Sequence, residues 1–367
     1  MTCVSAIKES TGQRPIEAWL PMPGRRWRFT LLPDSFQYPD RRLRQNMQMR
    51  IIEAEATRRH LQFVPLIAAI ERMFVQGCEV PQRHRHDVAG AASPGGTVLL
   101  MPAWRPGAFL GIKTVSIFAG NRERGLPGLH SSYLLMDAAT GVPLAMIDGN
   151  EITSRRTVAA SALAARYLAR PDAGRLLVVG AGRVARLLPE AYGAVRPIRE
   201  VQVWARRGEA AQALVTGLRA VGWAATVAPD LQEAVGQADI VSCATLSEAP
   251  LVHGAWLKSG THLDLIGGFA PAMRETDDAC FANSRVFIDT EEALLKAGDL
   301  LSPMASGVFC AADVSATLAH LCRGEHPGRT HGVDITVFKS VGTALEDLAA
   351  ATLVYQADGG GQQPAAA

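Results

Sequence analysis

The chain has 367 residues, of which 48% are hydrophobic and 20% charged, with a formal net charge of +2. Residues 1–48 hold eight Arg/Lys and four Asp/Glu, leaving 29 basic and 31 acidic residues for the rest. This composition fits about two globular domains, and a body without basic excess suggests no nucleic-acid partner. No apolar run approaches ~18 residues, so no transmembrane helix or membrane partner is expected. No charged segment followed by an apolar stretch opens the chain, so a signal peptide is not expected. Six cysteines without C-x-x-C spacing argue against a disulfide framework and fit a reducing, cytoplasmic location.

Residues 1–48, rich in Pro, Arg and aromatics, show no sustained period. They read as a non-native or disordered extension, with Met49 as the natural start. From Met49 to Thr57 the pattern is strand then helix, and apolar spacing from Leu61 to Phe74 predicts an amphipathic helix over 60–76. Four β-like runs follow, Thr97–Met101, Gly111–Phe118, Ser132–Asp137 and Leu144–Ile147, separated by turn residues. Residues 153–168 are Ala-rich and helical. Strands and helices then alternate over 171–310, as a doubly wound sheet requires. A strand over 334–339 and a helix over 341–355 complete the chain before a low-complexity tail at 358–367. The fold class expected is α/β: a Rossmann domain (171–330) inserted in an α+β substrate and dimerisation domain (49–170, completed by 331–357).

The most specific local signal is Gly180-Ala-Gly-Arg-Val-Ala185, which ends the apolar run Arg175–Val179. It is a G-x-G-x-x-A dinucleotide fingerprint, placed between a strand and a helical pattern. Gly180 permits the tight turn, Gly182 lets the backbone approach a pyrophosphate, and Ala185 keeps the helix close to the strand. Ala181, Arg183 and Val184 complete the loop. The strand Glu200–Trp204 runs into Arg206 and Arg207, where an acid would bind ribose hydroxyls in an NAD site. Two arginines there attract a 2′-phosphate instead, so NADPH is the expected cofactor, with NADH possible. A later strand ends at Thr245, expected to line the same site.

Six further segments stand in order: Met101-Pro-Ala103, Gly111-Ile-Lys-Thr-Val115, Gly125-Leu-Pro127, Ile147-Asp-Gly-Asn150, Ile152-Thr-Ser-Arg-Arg-Thr157 and Ile335-Thr-Val-Phe-Lys-Ser340. Together they resemble the ornithine cyclodeaminase/μ-crystallin family from about Met49 to about Tyr355. The resemblance implies hydride transfer at the α-carbon of an amino or imino acid, and a homodimer paired through the N-terminal domain. It places Arg83, Lys113 and Arg156 around the substrate carboxylate, with Lys113 and Arg156 essential to the chemistry. Arg155 is the neighbour most easily confused with Arg156. Ser132 is expected to contact substrate or nicotinamide, while His130 reads as a proton relay or a structural residue.

Cyclodeaminases of the family carry an Asp after the Gly-Gly that ends a Rossmann strand. Here Gly267-Gly268 is followed by Phe269. That departure, with Gly-Phe-x-Pro-x-Met-Arg-Glu, resembles the Δ1-pyrroline-2-carboxylate reductase branch. The expected reaction is reduction of a cyclic imino acid, Δ1-pyrroline-2-carboxylate to L-proline, with Δ1-piperideine-2-carboxylate as a second substrate. The alternatives are an ornithine cyclodeaminase, an alanine dehydrogenase-like enzyme, and a non-enzymatic dinucleotide-binding protein. His84-Arg-His86 on a strand would put both imidazoles on one face, but no third ligand is evident, so no metal is expected.

Overall fold

The computed structural model describes residues 16–22, 25–31, 49–88 and 95–361. Strands β1 (Ile16–Met22) and β2 (Arg25–Leu31) form an antiparallel hairpin, Ile16 opposite Leu31, in a unit separate from the rest. Regular pairing thus occurs where the sequence showed no period; the remainder of 1–48 lies outside the described residues.

From Met49 the chain forms one compact unit with two sheets. The first has six strands in the order β3-β8-β7-β6-β5-β4: β3 (Arg50–Ile52), β4 (His84–Val88), β5 (Gly96–Trp104), β6 (Phe109–Ile117), β7 (Leu129–Asp137) and β8 (Pro143–Asp148). Only β3 and β8 run parallel. Alternation along β6 is strict: Phe109, Gly111, Lys113 and Val115 are buried, and the residues between them half-exposed. Helices α1 (Ala54–His60) and α3 (Gly149–Leu168) pack on the buried face, and α2 (Phe63–Gln76) packs on α3. The strand-then-helix pattern from Met49 forms β3 and α1, and the helix expected over 60–76 is α2, which starts at Phe63, with Pro65 in its first turn, where its missing N–H costs nothing. Asp148 caps α3 by accepting from the Glu151 N–H at 2.7 Å. The alanines of α3 bury almost completely, so this helix sits close to both sheets.

The second sheet is entirely parallel, in the order β11-β10-β9-β12-β13-β16-β14-β15. Its strands are β9 (Arg175–Val179), β10 (Glu200–Trp204), β11 (Ala225–Val227), β12 (Ile240–Cys243), β13 (His262–Leu265), β14 (Ser284–Ile288), β15 (Val314–Thr317) and β16 (Ile335–Lys339). The crossover helices include α4 (Leu188–Gly193), α5 (Gly208–Ala220), α6 (Leu231–Gln237) and α7 (Gly298–Ala305). Leu176–Val179 of β9 and all of β12 and β13 are buried, as central strands covered on both faces are, with Ser242, His262 and Asp264 the polar residues among them.

One boundary differs from expectation. Residues 335–339 do not return to the first domain; β16 inserts between β13 and β14. Only the final helix, α8 (Ala344–Ala357), returns, packing on α2, α3, β5 and β6. The start of the expected tail is also docked: Asp358 Oδ2 lies 3.3 Å from Arg50 and Oδ1 3.3 Å from His60. No helix among the described residues is long and apolar enough to cross a membrane, and the five described cysteines are unpaired.

Candidate active site

Parallel strands bring their carboxyl ends to one edge, where doubly wound sheets bind ligands. At that edge β9 ends in Gly180, with φ +121°; a Cβ there would lie 2.6 Å from the Ala244 carbonyl oxygen. Only glycine tolerates both the dihedral and the approach. Around Gly182 no atom lies within 4 Å of a built Cβ, leaving open space over the turn. A cleft here is lined by Gly180, Ala181, Gly182, Arg206, Arg207 and Thr245, with Trp204, Leu246, Ser247 and Leu251 among its other walls. Arg206 and Arg207 are exposed, and neither forms an ion pair among the described residues. The geometry fits a dinucleotide: a glycine cradle for the pyrophosphate and a cationic end beside β10.

Three fingerprint residues lie differently. Arg183 is exposed, Val184 packs against the core, and Ala185 is buried; none lines the cleft. The following helix opens as a 3₁₀ turn over Ala185–Leu187 before α4, whose N-terminus holds Pro189. Ala185 is buried in the core cluster.

Behind the cleft, Glu275 ties two strand ends together. Its Oε1 accepts from the Thr245 N–H (2.7 Å) and hydroxyl (2.8 Å), and its Oε2 from the Gly267 N–H (2.7 Å). Asp299 accepts from the Glu275 and Thr276 N–H groups, and Lys339 reaches it at 3.1 Å. All of these charged groups are buried. Burial, aided by Asp299 and opposed by Lys339, pushes Glu275 up to about 7. Phe269, on the loop this network supports, is 45% exposed, so it can wall an open site but is not core.

Farther along the same edge, at β16 and β14, lies a buried cluster of charges. Lys113 Nζ is 2.6 Å from Asp347 Oδ2, and Arg156 Nε donates to Asp347 Oδ1 at 2.9 Å. Arg156 Nη1 donates to Glu346 Oε2 at 2.6 Å. Arg83 reaches Glu292 at 3.0 Å and the Gly342 carbonyl at 3.2 Å. The three cations expected around a carboxylate are therefore assembled from a loop, a strand and a helix. β16 is three strands from β9, roughly 14 Å at about 4.8 Å per strand. Gly342, at φ +77°, leaves room for Arg156, whose Nη1 would be 2.4 Å from a Cβ there.

The electrostatics follow from burial. Lys113, 1% exposed, is pushed down to about 8 by burial; Arg156 and Arg83 add to this and Asp347 opposes it. Burial would raise Asp347, but Lys113 and Arg156 outweigh it and hold the carboxyl low. Burial, with Asp289 and Asp347 nearby, pushes Glu346 up to about 7 against the pull of Arg156.

Arg155 is separate: its Nε donates to the Leu61 carbonyl at 2.6 Å and its guanidinium stacks on Phe63. Ser132 must be corrected. Strand pairing sets Lys113 opposite Tyr133 and Thr114 opposite Ser132, so Ser132 points to the other face of the sheet from Lys113. His130 shares that outer face. The hydroxyl on the Lys113 face is Ser131, whose Oγ is buried without a partner among the described residues, as is the Tyr133 Oη. Unmet buried donors are costly, and a polar ligand would satisfy them. His84 and His86 are exposed on edge strand β4, and no cluster of three or more His, Cys, Asp or Glu occurs among the described residues.

Sequence reading missed Glu346, Asp347, Asp289, Glu275 and Ser131. The one available signal was the acidic pair in an otherwise apolar final helix. It was masked because acids are commonplace in a first helical turn capped by Thr343.

The chain resembles known proteins over most of its length. The family model described as the ornithine cyclodeaminase/mu-crystallin family matches residues 47–361. A Delta(1)-pyrroline-2-carboxylate reductase of Paracoccus denitrificans is 43% identical over 281 residues, covering 76% of this chain and 89% of that protein. The structure of Thermococcus litoralis Delta(1)-pyrroline-2-carboxylate reductase with NADH and L-proline superposes with a TM-score of 0.79. It is 32% identical, over 86% of this chain and all of that one. An archaeal alanine dehydrogenase dimer with bound NAD gives 0.78 at 30% identity, over 86% and 98%. The chain belongs to the ornithine cyclodeaminase/mu-crystallin family, as a nicotinamide-dependent oxidoreductase that acts on carbon–nitrogen bonds.

Proposed function

We propose that this protein reduces Δ1-pyrroline-2-carboxylate to L-proline, takes Δ1-piperideine-2-carboxylate as a second substrate, and prefers NADPH. The observation that carries the reading is the buried Lys113–Asp347–Arg156 cluster on the sheet edge that also holds the dinucleotide cradle. An α-imino acid presents a carboxylate beside the carbon to be reduced. Lys113, Arg156 and Arg83 supply the cations for that carboxylate, and the Ser131 and Tyr133 hydroxyls add donors on the same face. The bound nicotinamide supplies the hydride. The chain's own contribution is to fix the carboxylate, orient the imine carbon and hold water back.

Phe269 favours reduction over cyclodeamination, because it supplies no carboxylate to remove an amine. Arg206 and Arg207 support NADPH. The relatives named above support the substrate class, since two of them are reductases of this imine. The test is NADPH oxidation at 340 nm with Δ1-pyrroline-2-carboxylate and no ammonia. Turnover that collapses in Lys113→Ala and Arg156→Ala supports the reading. Turnover only with added ammonia and an oxo acid, or release of ammonia from L-ornithine, overturns it.

We further propose a homodimer. The outer face of the six-stranded sheet carries half-exposed Leu100, Pro102, Trp104, Ile112, Leu134 and Met136, an apolar surface of the kind that associates. Light scattering that gives a monomer mass at micromolar concentration refutes this.

A further inference from the structure

We propose that Glu346 takes up the proton that accompanies the substrate carboxylate into the site, and donates it to the imine nitrogen. The proposal rests on the reductase reading and adds the acid that the reaction needs.

The argument begins with charge. At the centre, Lys113 and Arg156 face Asp347 and Glu346; around them, Arg83 and Lys296 face Glu292 and Asp289. Four cations meet four carboxylates, so the cluster is neutral when all are ionised. A neutral buried cluster has no charge to offer an incoming carboxylate, and an uncompensated buried anion is expensive. One proton on a carboxylate leaves a surplus of one positive charge, which matches one substrate carboxylate.

Geometry selects which carboxylate takes it. Asp347 is held between two cations: its Oδ1 accepts from Arg156 Nε, and its Oδ2 lies 2.6 Å from Lys113 Nζ as an ion pair without hydrogen-bond alignment. Asp289 accepts from the N–H groups of Thr290, Val341 and Gly342. Glu292 holds Arg83 and Lys296 with one oxygen each and is partly exposed. Glu346 is wholly buried; its Oε2 holds Arg156, and its Oε1 has no partner among the described residues. A buried oxygen without a donor is where a proton, and then an acceptor for it, belongs. The groups facing Glu346 are Arg156 from α3, Asp289 beyond β14 and Asp347 on its own helix. Their balance with burial puts its affinity for a proton near neutrality, the range that suits an acid catalyst.

In an α-imino acid the nitrogen and the carboxylate share one carbon. A group that shares Arg156 with the substrate carboxylate therefore stands beside the nitrogen. The step balances: the O–H bond of Glu346 breaks and an N–H bond forms, while the imine carbon receives two electrons and a hydrogen from the reduced nicotinamide. The Glu346 carboxylate is left on Arg156 and regains a proton from water with the next substrate.

The experiment uses the full chain as wild type, Glu346→Gln and Glu346→Asp. Calorimetry follows binding of pyrrole-2-carboxylate, a planar five-membered ring with no basic nitrogen, to the dinucleotide complex at pH 8. Buffers of different ionisation enthalpy report the protons taken up. Lys113, at about 8, recharges to the same extent in both proteins, so wild type is expected to take up close to one proton more than Glu346→Gln, with affinity changed by less than about tenfold. Glu346→Gln should lose ~10²–10⁴ in kcat, and the alkaline fall of the wild-type kcat profile should vanish. If Glu346→Gln has lost dinucleotide binding through misfolding, Glu346→Asp decides: a displaced alkaline limb supports the donor, and an unmoved one overturns it. Wild-type turnover with Glu346→Gln matching it in kcat and proton uptake overturns the donor alone. Wild type that oxidises no dinucleotide with either cyclic imine overturns the reductase reading beneath it.

Discussion

Replacing Asp347 by Asn removes the charge on which Lys113 and Arg156 converge while keeping the shape. The two cations respond differently. Arginine cannot discharge, so Arg156 exchanges a charged partner for a neutral one, a loss of about 1.5–3 kcal/mol. Lysine can escape by releasing its proton, and its proton affinity limits the penalty. With Lys113 at about 8 in the intact cluster, release costs ~0.7 kcal/mol at pH 7.5 and ~2.7 kcal/mol at pH 6.0, at 1.36 kcal/mol per unit. Asp347→Asn should therefore cost about 2–4 kcal/mol at pH 7.5 and about 4–6 kcal/mol at pH 6.0. Urea unfolding followed by tryptophan fluorescence at the two pH values measures this. Adding Lys113→Met should return part of the loss, and the double variant should fall short of the sum of the singles by ~0.5–3 kcal/mol. A penalty below 1 kcal/mol, or one equal at both pH values, would refute the reasoning.

Gly180→Ala should abolish dinucleotide binding, since the new methyl must displace the Ala244 carbonyl at an unfavourable φ; isothermal titration with NADPH and NADH checks it, and micromolar binding of either would contradict the cradle. Arg206→Ala/Arg207→Ala should lower kcat/KM for NADPH by ~10–100-fold, two lost charge-assisted contacts, and leave NADH within about twofold; equal losses for both cofactors would show that these arginines do not read the 2′-phosphate. Glu346, raised from 4.5 to about 7, binds more protons folded than unfolded, so its stabilising contribution is present below pH 4.5 and lost as the pH rises through 7. Glu346→Gln should accordingly gain stability relative to wild type between pH 5 and pH 8, read as the difference in urea midpoints; a constant difference would place the group elsewhere on the pH scale.

Much of this molecule was legible in the order of residues. The strand–glycine–helix succession at 175–193, the alternation along β6 and the alanine-rich α3 are local patterns, and local pattern suffices because hydrogen bonds within a strand ladder or helix follow backbone period. The positions of Gly180, Gly182, Arg206, Arg207 and Thr245 on one cleft follow from the βαβ order alone. Arg156 rather than Arg155 could be chosen from the motif, and the two do diverge in space.

Tertiary structure decided the rest. Ser131 and Ser132 are indistinguishable in sequence, and only the pairing register shows which one shares a face with Lys113. Strand β16 was assigned to the wrong domain because nothing local states which sheet receives it; its place between β13 and β14 depends on the whole sheet. The acids that balance the site lie far along the chain, Asp347 being 191 residues from Arg156. Buried charges are stable only in compensating sets, and such sets are assembled by packing, so their membership is a property of the fold and not of any stretch of sequence.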